Sequence, residues 1–148
     1  MASTDFFSSG DSKTLVRPAS VATGGAPVAI EIDTKGYRWG IILIELGAVG
    51  ATGTGAGVGA LTVQEGNTSG GTFTDIPGAA FSIAIDADNS TLVGVIDLHR
   101  FGRYMQLDGV VGTGGATLMG STMILYGNTN TAEYATLANA RKVFEVLA

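Results

Sequence analysis

Hydrophobic and polar positions alternate with a period of two along most of this chain. Val28, Ile30 and Ile32 alternate with Ala29, Glu31 and Asp33, which predicts a half-buried strand. "TKGY" follows as a turn. "RWGIILIELGAV" is then a longer, nearly continuous apolar run rich in Ile. Its β-branching favours a buried central strand over a helix. Leu61 and Val63 alternate with Thr62 and Gln64, and "EGNTSGG" is a turn signal. "TFTDIPGAAF" reads as a strand broken at Pro77-Gly78, and Phe81, Ile83 and Ile85 alternate with Ser82, Ala84 and Asp86. "DADN" turns the chain into "STLVGVIDLH", "RFGRYMQLDGVVG" and "ATLMGSTMILYG". Seven or eight short strands with turn chemistry between them, and no helical segment separating them, predict an antiparallel β-sandwich or barrel rather than βαβ units.

The two ends break this pattern. Residues 1–26 are rich in Ser, Thr, Ala and Gly, with Pro18 inside them and Pro27 just after, and show no sustained period. They read as an extended N-terminal arm, in which Phe6 and Phe7 are candidate docking residues for a neighbouring molecule. Residues 27–129 form the sandwich domain. In residues 130–148, Asn130 and Glu133 resemble a capping box, and Tyr134, Leu137, Ala138, Arg141, Phe144 and Leu147 recur broadly at helical spacing. "KVFEVL" also reads with period two, so this segment is a short helix or an arm. Tyr134 and Phe144 are its candidate partner contacts.

Composition adds three constraints. The chain has 148 residues, enough for one domain with one sizeable core, and its 45% hydrophobic content excludes wholesale disorder. Charged residues make up 14%, against roughly 25% in ordinary soluble domains. So few charges favour a protein that buries surface against partners. The formal net charge is −5, and the eight basic residues are scattered, so no stripe is formed that would follow a phosphate backbone. Nucleic acid is therefore not an expected partner. With no cysteine, disulfide scaffolds and cysteine-based zinc sites are excluded. The first residues lack a basic segment followed by an apolar one, and no apolar run approaches a membrane span, so neither a secretory signal nor membrane insertion is expected.

Several stretches carry the letters of a chemical site. "GAVGATGTGAGVG", residues 47–59, contains a loose dinucleotide fingerprint, Gly55-Ala56-Gly57-Val58-Gly59-Ala60. In such a site the glycines open a helix whose N-terminal N–H groups receive the pyrophosphate. Here they lead into "ALTVQEG", which alternates as a strand, so a long loop between strands is expected and no nucleotide cofactor. His99 is the only histidine, and no nucleophile-elbow sequence accompanies it, so no catalytic residue is assigned and the chain is read as not an enzyme. Asp86 and Asp88 form a short acidic turn of a kind that can hold calcium, but without the spacing of a full calcium loop. No cofactor or metal is therefore assigned. Trp39 is expected in the core or an interface. In "IDLHRFGRYMQL", Arg100 and Arg103 bracket a turn with Asp97 and Asp108 nearby. These arginines either fix strand ends through local ion pairs or meet an acidic partner.

The succession "GTFTDIPGAAF", "GVIDLHRFGRYMQL", a Gly-rich turn and "GSTMILYG" resembles the capsid decoration, or cement, proteins of tailed bacteriophages, over roughly residues 28–128. The resemblance implies a jelly-roll-like sandwich of about eight strands. It implies a homotrimer bound to the major capsid protein on the outer surface of the virion, with terminal arms reaching neighbouring subunits. It supplies no catalytic residues. Two further classes stay in view: a host-surface glycan-binding module and another phage component, of the tail or connector. A hydrolase is the remotest alternative.

Overall fold

The computed structural model describes residues 11–22, 24–50, 59–84, 87–111 and 115–128. They form eight strands: β1 (Asp11–Val21), β2 (Ile32–Asp33), β3 (Tyr37–Leu46), β4 (Gly59–Gly66), β5 (Thr74–Ile83), β6 (Thr91–Asp97), β7 (Tyr104–Val110) and β8 (Thr117–Asn128). A single 3₁₀ turn, Leu98–Arg100, follows β6.

Every strand pairing is antiparallel. The first strand pairs with the last, the second with the seventh, the third with the sixth and the fourth with the fifth. The chain is thus one long hairpin folded over on itself. Wrapping this hairpin yields two four-stranded sheets, β1-β8-β3-β6 and β2-β7-β4-β5. That is the order of a jelly roll, in which two sheets share a core and the connections cross between them.

The period-two pattern places the core. Ile42 and Ile44 of β3 and Met123 and Leu125 of β8 point inward from the first sheet. Leu61 and Val63 of β4, Phe81 of β5 and Leu107 of β7 face them from the second. Gly40 also points inward: a Cβ there would lie 2.2 Å from Met123 Cε and 3.1 Å from Ile96 Cγ2.

Three boundaries differ from those the sequence predicts. First, residues 11–21 are not part of an arm but an edge strand, and Leu15, Val16 and Val21 are buried in the core. Two register shifts, on either side of Val16, break the alternation that would have revealed it. Pro18 is tolerated because the strand lies at a sheet edge. Second, only Ile32–Asp33 of the Val28–Asp33 pattern forms a strand. Ala29 bridges Val16, and the Ile30 N–H donates to the Leu15 carbonyl at 2.7 Å, so this stretch crosses from one sheet to the other. A crossing segment cannot stay in one ladder. Third, Pro77-Gly78 does not end a strand. β5 runs through it on a register shift between Thr62 and Gln64 of β4, with Gly78 at φ +81°. That left-handed geometry favours glycine, and the shift is a β-bulge.

Candidate interaction surfaces

The arginine turn is held at one of its two cations, by an ion pair to a residue distant in sequence. Arg103 Nε donates to Asp33 Oδ1 at 2.8 Å and Nη2 to Asp33 Oδ2 at 2.5 Å. The guanidinium also lies 5.0 Å from the centroid of the Tyr104 ring. The Arg103 carbonyl accepts from both the N–H (2.9 Å) and the hydroxyl (2.7 Å) of Thr34. Arg103 therefore ties β2 to the start of β7. Hydrogen bonding from Arg103 holds the Asp33 carboxyl down to about 2. Arg100 is exposed at the tip of the turn. The two aspartates near it in sequence have other partners. Asp97 caps the 3₁₀ turn by accepting from the His99 N–H, and pairs with Arg38 at 3.7 Å. Asp108 accepts from Gln64 on the second sheet. Underneath, the Glu65 carboxylate accepts a short hydrogen bond from the Gly102 N–H.

The two outer faces of the sandwich differ in character. On the second sheet, Gln64 Nε2 donates to Asp75 Oδ1 at 2.8 Å and to Asp108 Oδ2 at 3.4 Å, and Gln106 Nε2 donates to Gln64 Oε1 at 2.7 Å. This row of amides and carboxylates is a solvated face. On the first sheet the middle of the outer face is apolar, with Trp39, Ile41 and Leu43 of β3, Val93 and Val95 of β6, and Ile124 and Tyr126 of β8, while Glu45, Thr91, Asp97 and Thr122 lie around it. The long apolar run is thus the central strand expected, but it is apolar toward both sides.

A third surface lies at the β1 edge. The second half of β1 and residues 24–30 enclose an apolar groove of about 590 Å³, with Val16, Ala19, Val21 and Val28 among its lining residues. Val28 is 84% exposed, the most exposed large apolar side chain among the described residues. β1 carries Arg17 and Pro18 beside this groove.

The glycine stretch leads into a strand, β4, as its sequence context requires, and not into a helix. Residues 51–58 lie outside the described residues. Its first part is closely packed: a Cβ on Gly50 would lie 2.0 Å from the Gly115 carbonyl carbon. The Val49 N–H donates to Asp88 Oδ1 at 2.6 Å, so that carboxylate is occupied by the loop it faces. Asp86 lies outside the described residues, as do the candidate contacts Phe6, Phe7, Tyr134 and Phe144 and the predicted C-terminal helix or arm. Among the described residues, no three His, Cys, Asp or Glu side chains are grouped to hold a metal ion, and no helix is long and apolar enough to cross a membrane.

Of the surfaces above, the sequence by itself points only to the arginine turn. The outer face of the first sheet was signalled by the unbroken "WGIILI" run, which exceeds what one buried face needs. The β1-edge groove had no signal of its own, because the alternation of Val28 and Ile30 reads as a strand and the β1 residues that face them have no sustained period.

No protein-family model matches the chain, and no curated protein matches it. Among solved structures, the crystal structure of the SPBc2 prophage-derived protein YomS aligns with a TM-score of 0.47 at 13% identity, covering 80% of this chain and 93% of that one.

Proposed function

We propose that this chain is a non-enzymatic structural protein of a phage virion, a decoration protein that binds the outside of an icosahedral capsid and stabilises it by bridging capsomers. The observation that supports this reading is the apolar groove along the β1 edge, with Val28 held out into solvent. An edge strand beside an apolar groove suits an extended segment of a neighbouring capsid subunit, which would add backbone hydrogen bonds and fill the groove with alternate side chains. The low charge of the chain suits a surface that is covered in the assembled particle. Residues 1–10 precede β1 and would carry Phe6 and Phe7 to the same partner. Ordering such an arm costs about 1–2 kcal/mol of backbone entropy per residue. Burial of each Phe offsets roughly 1.5–3 kcal/mol of this. Many copies on one shell then add through multivalency. The partner is the major capsid protein, and self-association as a homotrimer fits the same resemblance.

Rebinding of the purified protein to undecorated shells tests this. Wild-type protein is expected to bind and to raise the shell's resistance to heat or internal pressure, and Val28→Asp to bind weakly while remaining folded. Normal rebinding by Val28→Asp would remove the groove from the mechanism, and failure of the wild type to bind any shell would remove the capsid role.

A second reading, a glycan-binding module, is favoured by the Gln64, Asp75, Asp108 and Gln106 row, since amides and carboxylates are the groups that hydrogen-bond sugar hydroxyls. A glycan array separates the two: reproducible binding abolished by Gln64→Ala supports this module, and silence across the array removes it.

A further inference from the structure

The outer face of the first sheet is built as though something covers it. Its register sets Ile41 between Val95 and Ile124, and Leu43 between Val93 and Thr122. An antiparallel sheet with one face in water alternates apolar and polar residues, whereas a near-continuous apolar run belongs to a strand covered on both sides. The second sheet obeys the first rule with its Gln and Asp row, and the middle of the first sheet, around Ile41, Leu43, Val93, Val95 and Ile124, does not.

Trp39 adds an independent observation. It faces away from the core, since Gly40 beside it faces Met123 and Ile96, and it is not part of the core cluster. Yet it is only 5% exposed. Asp97 and Tyr126 flank it in the neighbouring strands, and the Arg38 guanidinium lies 5.6 Å from its ring centroid. The guanidinium lies over one face of the ring only, and the other outward surface of the indole has no covering group among the contacts of the described residues. In addition, Trp39 Nε1 and Arg38 Nε are both buried with no hydrogen-bond acceptor among the described residues. Buried donors are nearly always paired, and a buried indole N–H in particular usually finds an acceptor.

The chain itself arrives at this spot. β8 ends at Asn128, which pairs with Tyr37, two positions from the Trp39–Tyr126 pair. Residues 129–148 therefore enter at the Trp39 end of the face. They bring Tyr134, Leu137, Phe144 and Leu147 at recurring spacing. Twenty residues span about 30 Å even at the helical rise of 1.5 Å per residue. The ten residues of β3 span a similar length, about 33 Å.

We propose that residues 129–148 of the same chain pack across the outer face of the first sheet, covering Trp39, Ile41, Val95 and Ile124 and supplying acceptors to Trp39 Nε1 and Arg38 Nε. This inference does not rest on the capsid reading. It takes the C-terminal segment out of the bridging role and leaves that role to residues 1–10 and the β1-edge groove.

Trp39 is the only tryptophan, so its fluorescence reports on this face alone. In the full-length chain a blue-shifted emission and weak acrylamide quenching are expected. Deleting residues 129–148 is expected to shift the emission toward that of tryptophan in water and to raise quenching several-fold, while the β-sheet circular dichroism is kept. If the shortened chain does not fold, the full-length double variant Phe144→Asp/Leu147→Asp decides, with the same red shift expected. Unchanged emission and quenching in a folded deletion, or in the double variant, overturn the proposal. An oligomer that deletion converts to monomers, with Trp39 shielding lost on dilution of the full-length chain, would place a neighbouring copy's segment on the face and overturn the intrachain assignment.

Discussion

Asp33 and Arg103 stand 70 residues apart in the chain and meet through two parallel hydrogen bonds, fixing β2 against the start of β7. Both side chains are 44% exposed, so the pair is screened by solvent and contributes little. Folding lowers the Asp33 pKa from 3.8 to about 2, so protons favour the unfolded chain. The contribution is complete above the ordinary carboxylate value and fades as the pH falls toward about 2. Asp33→Asn is therefore expected to be slightly less stable than wild type at pH 7, with the gap closing below pH 3.8 and gone near 2. Urea melts of both proteins at a series of pH values measure this, and a gap that widens on acidification contradicts it.

Glycines at 40 and 50 answer differently to the same substitution. At Gly50 an added Cβ meets backbone, 2.0 Å from the Gly115 carbonyl carbon and 2.3 Å from its oxygen. At Gly40 it meets chiefly the mobile end of Met123. Overpacking costs about 1–3 kcal/mol when side chains can shift. Gly40→Ala is expected within that range, and Gly50→Ala is expected to lose more. Equal midpoints in denaturant would show that the 47–50 and 115–118 segments part more easily than their packing implies.

Phe81 is fully buried between the sheets. Phe81→Ala is expected to cost about 3–5 kcal/mol, through lost burial and the cavity left behind. Val28→Ala, at an exposed site, is expected to change stability by no more than about 0.5 kcal/mol. Differential scanning calorimetry on the two variants checks the contrast.

The two N-terminal deletions part company at β1. Removing residues 1–26 takes away Leu15, Val16 and Val21, each contributing about 1.5–3 kcal/mol of burial. That is a large share of a total stability of about 5–15 kcal/mol, so this chain is expected to unfold. Removing residues 1–10 leaves β1 intact and is expected to preserve the fold while weakening attachment to shells. Circular dichroism followed by shell rebinding distinguishes the cases. Full attachment by the shorter deletion would show that Phe6 and Phe7 have no part in binding.

Much of the sandwich was legible because alternation is a local consequence of strand geometry: successive side chains point to opposite faces. "LTVQ", "TLVGVID" and "YMQL" therefore declare strands whatever their partners. The rejection of a phosphate loop was legible for the same reason, since the residues after Gly59 alternate. β1 was not, because two register shifts and Pro18 erase its period, and its strand character comes from β8 alongside it.

Pairing belongs to another level. Nothing in the period of β1 names β8, over a hundred residues later, as its partner, and nothing in Asp33 names Arg103. The sequence alone determined most of the strands and the turns between them, and that the chain lacks a basic stripe and any cysteine. Only the tertiary structure decided the order of the strands, and with it the apolar groove at the β1 edge, the polar outer face of one sheet and the apolar outer face of the other. The reason is physical: alternation separates two sides of one strand, while a face is made by the residues that neighbouring strands bring into register beside it.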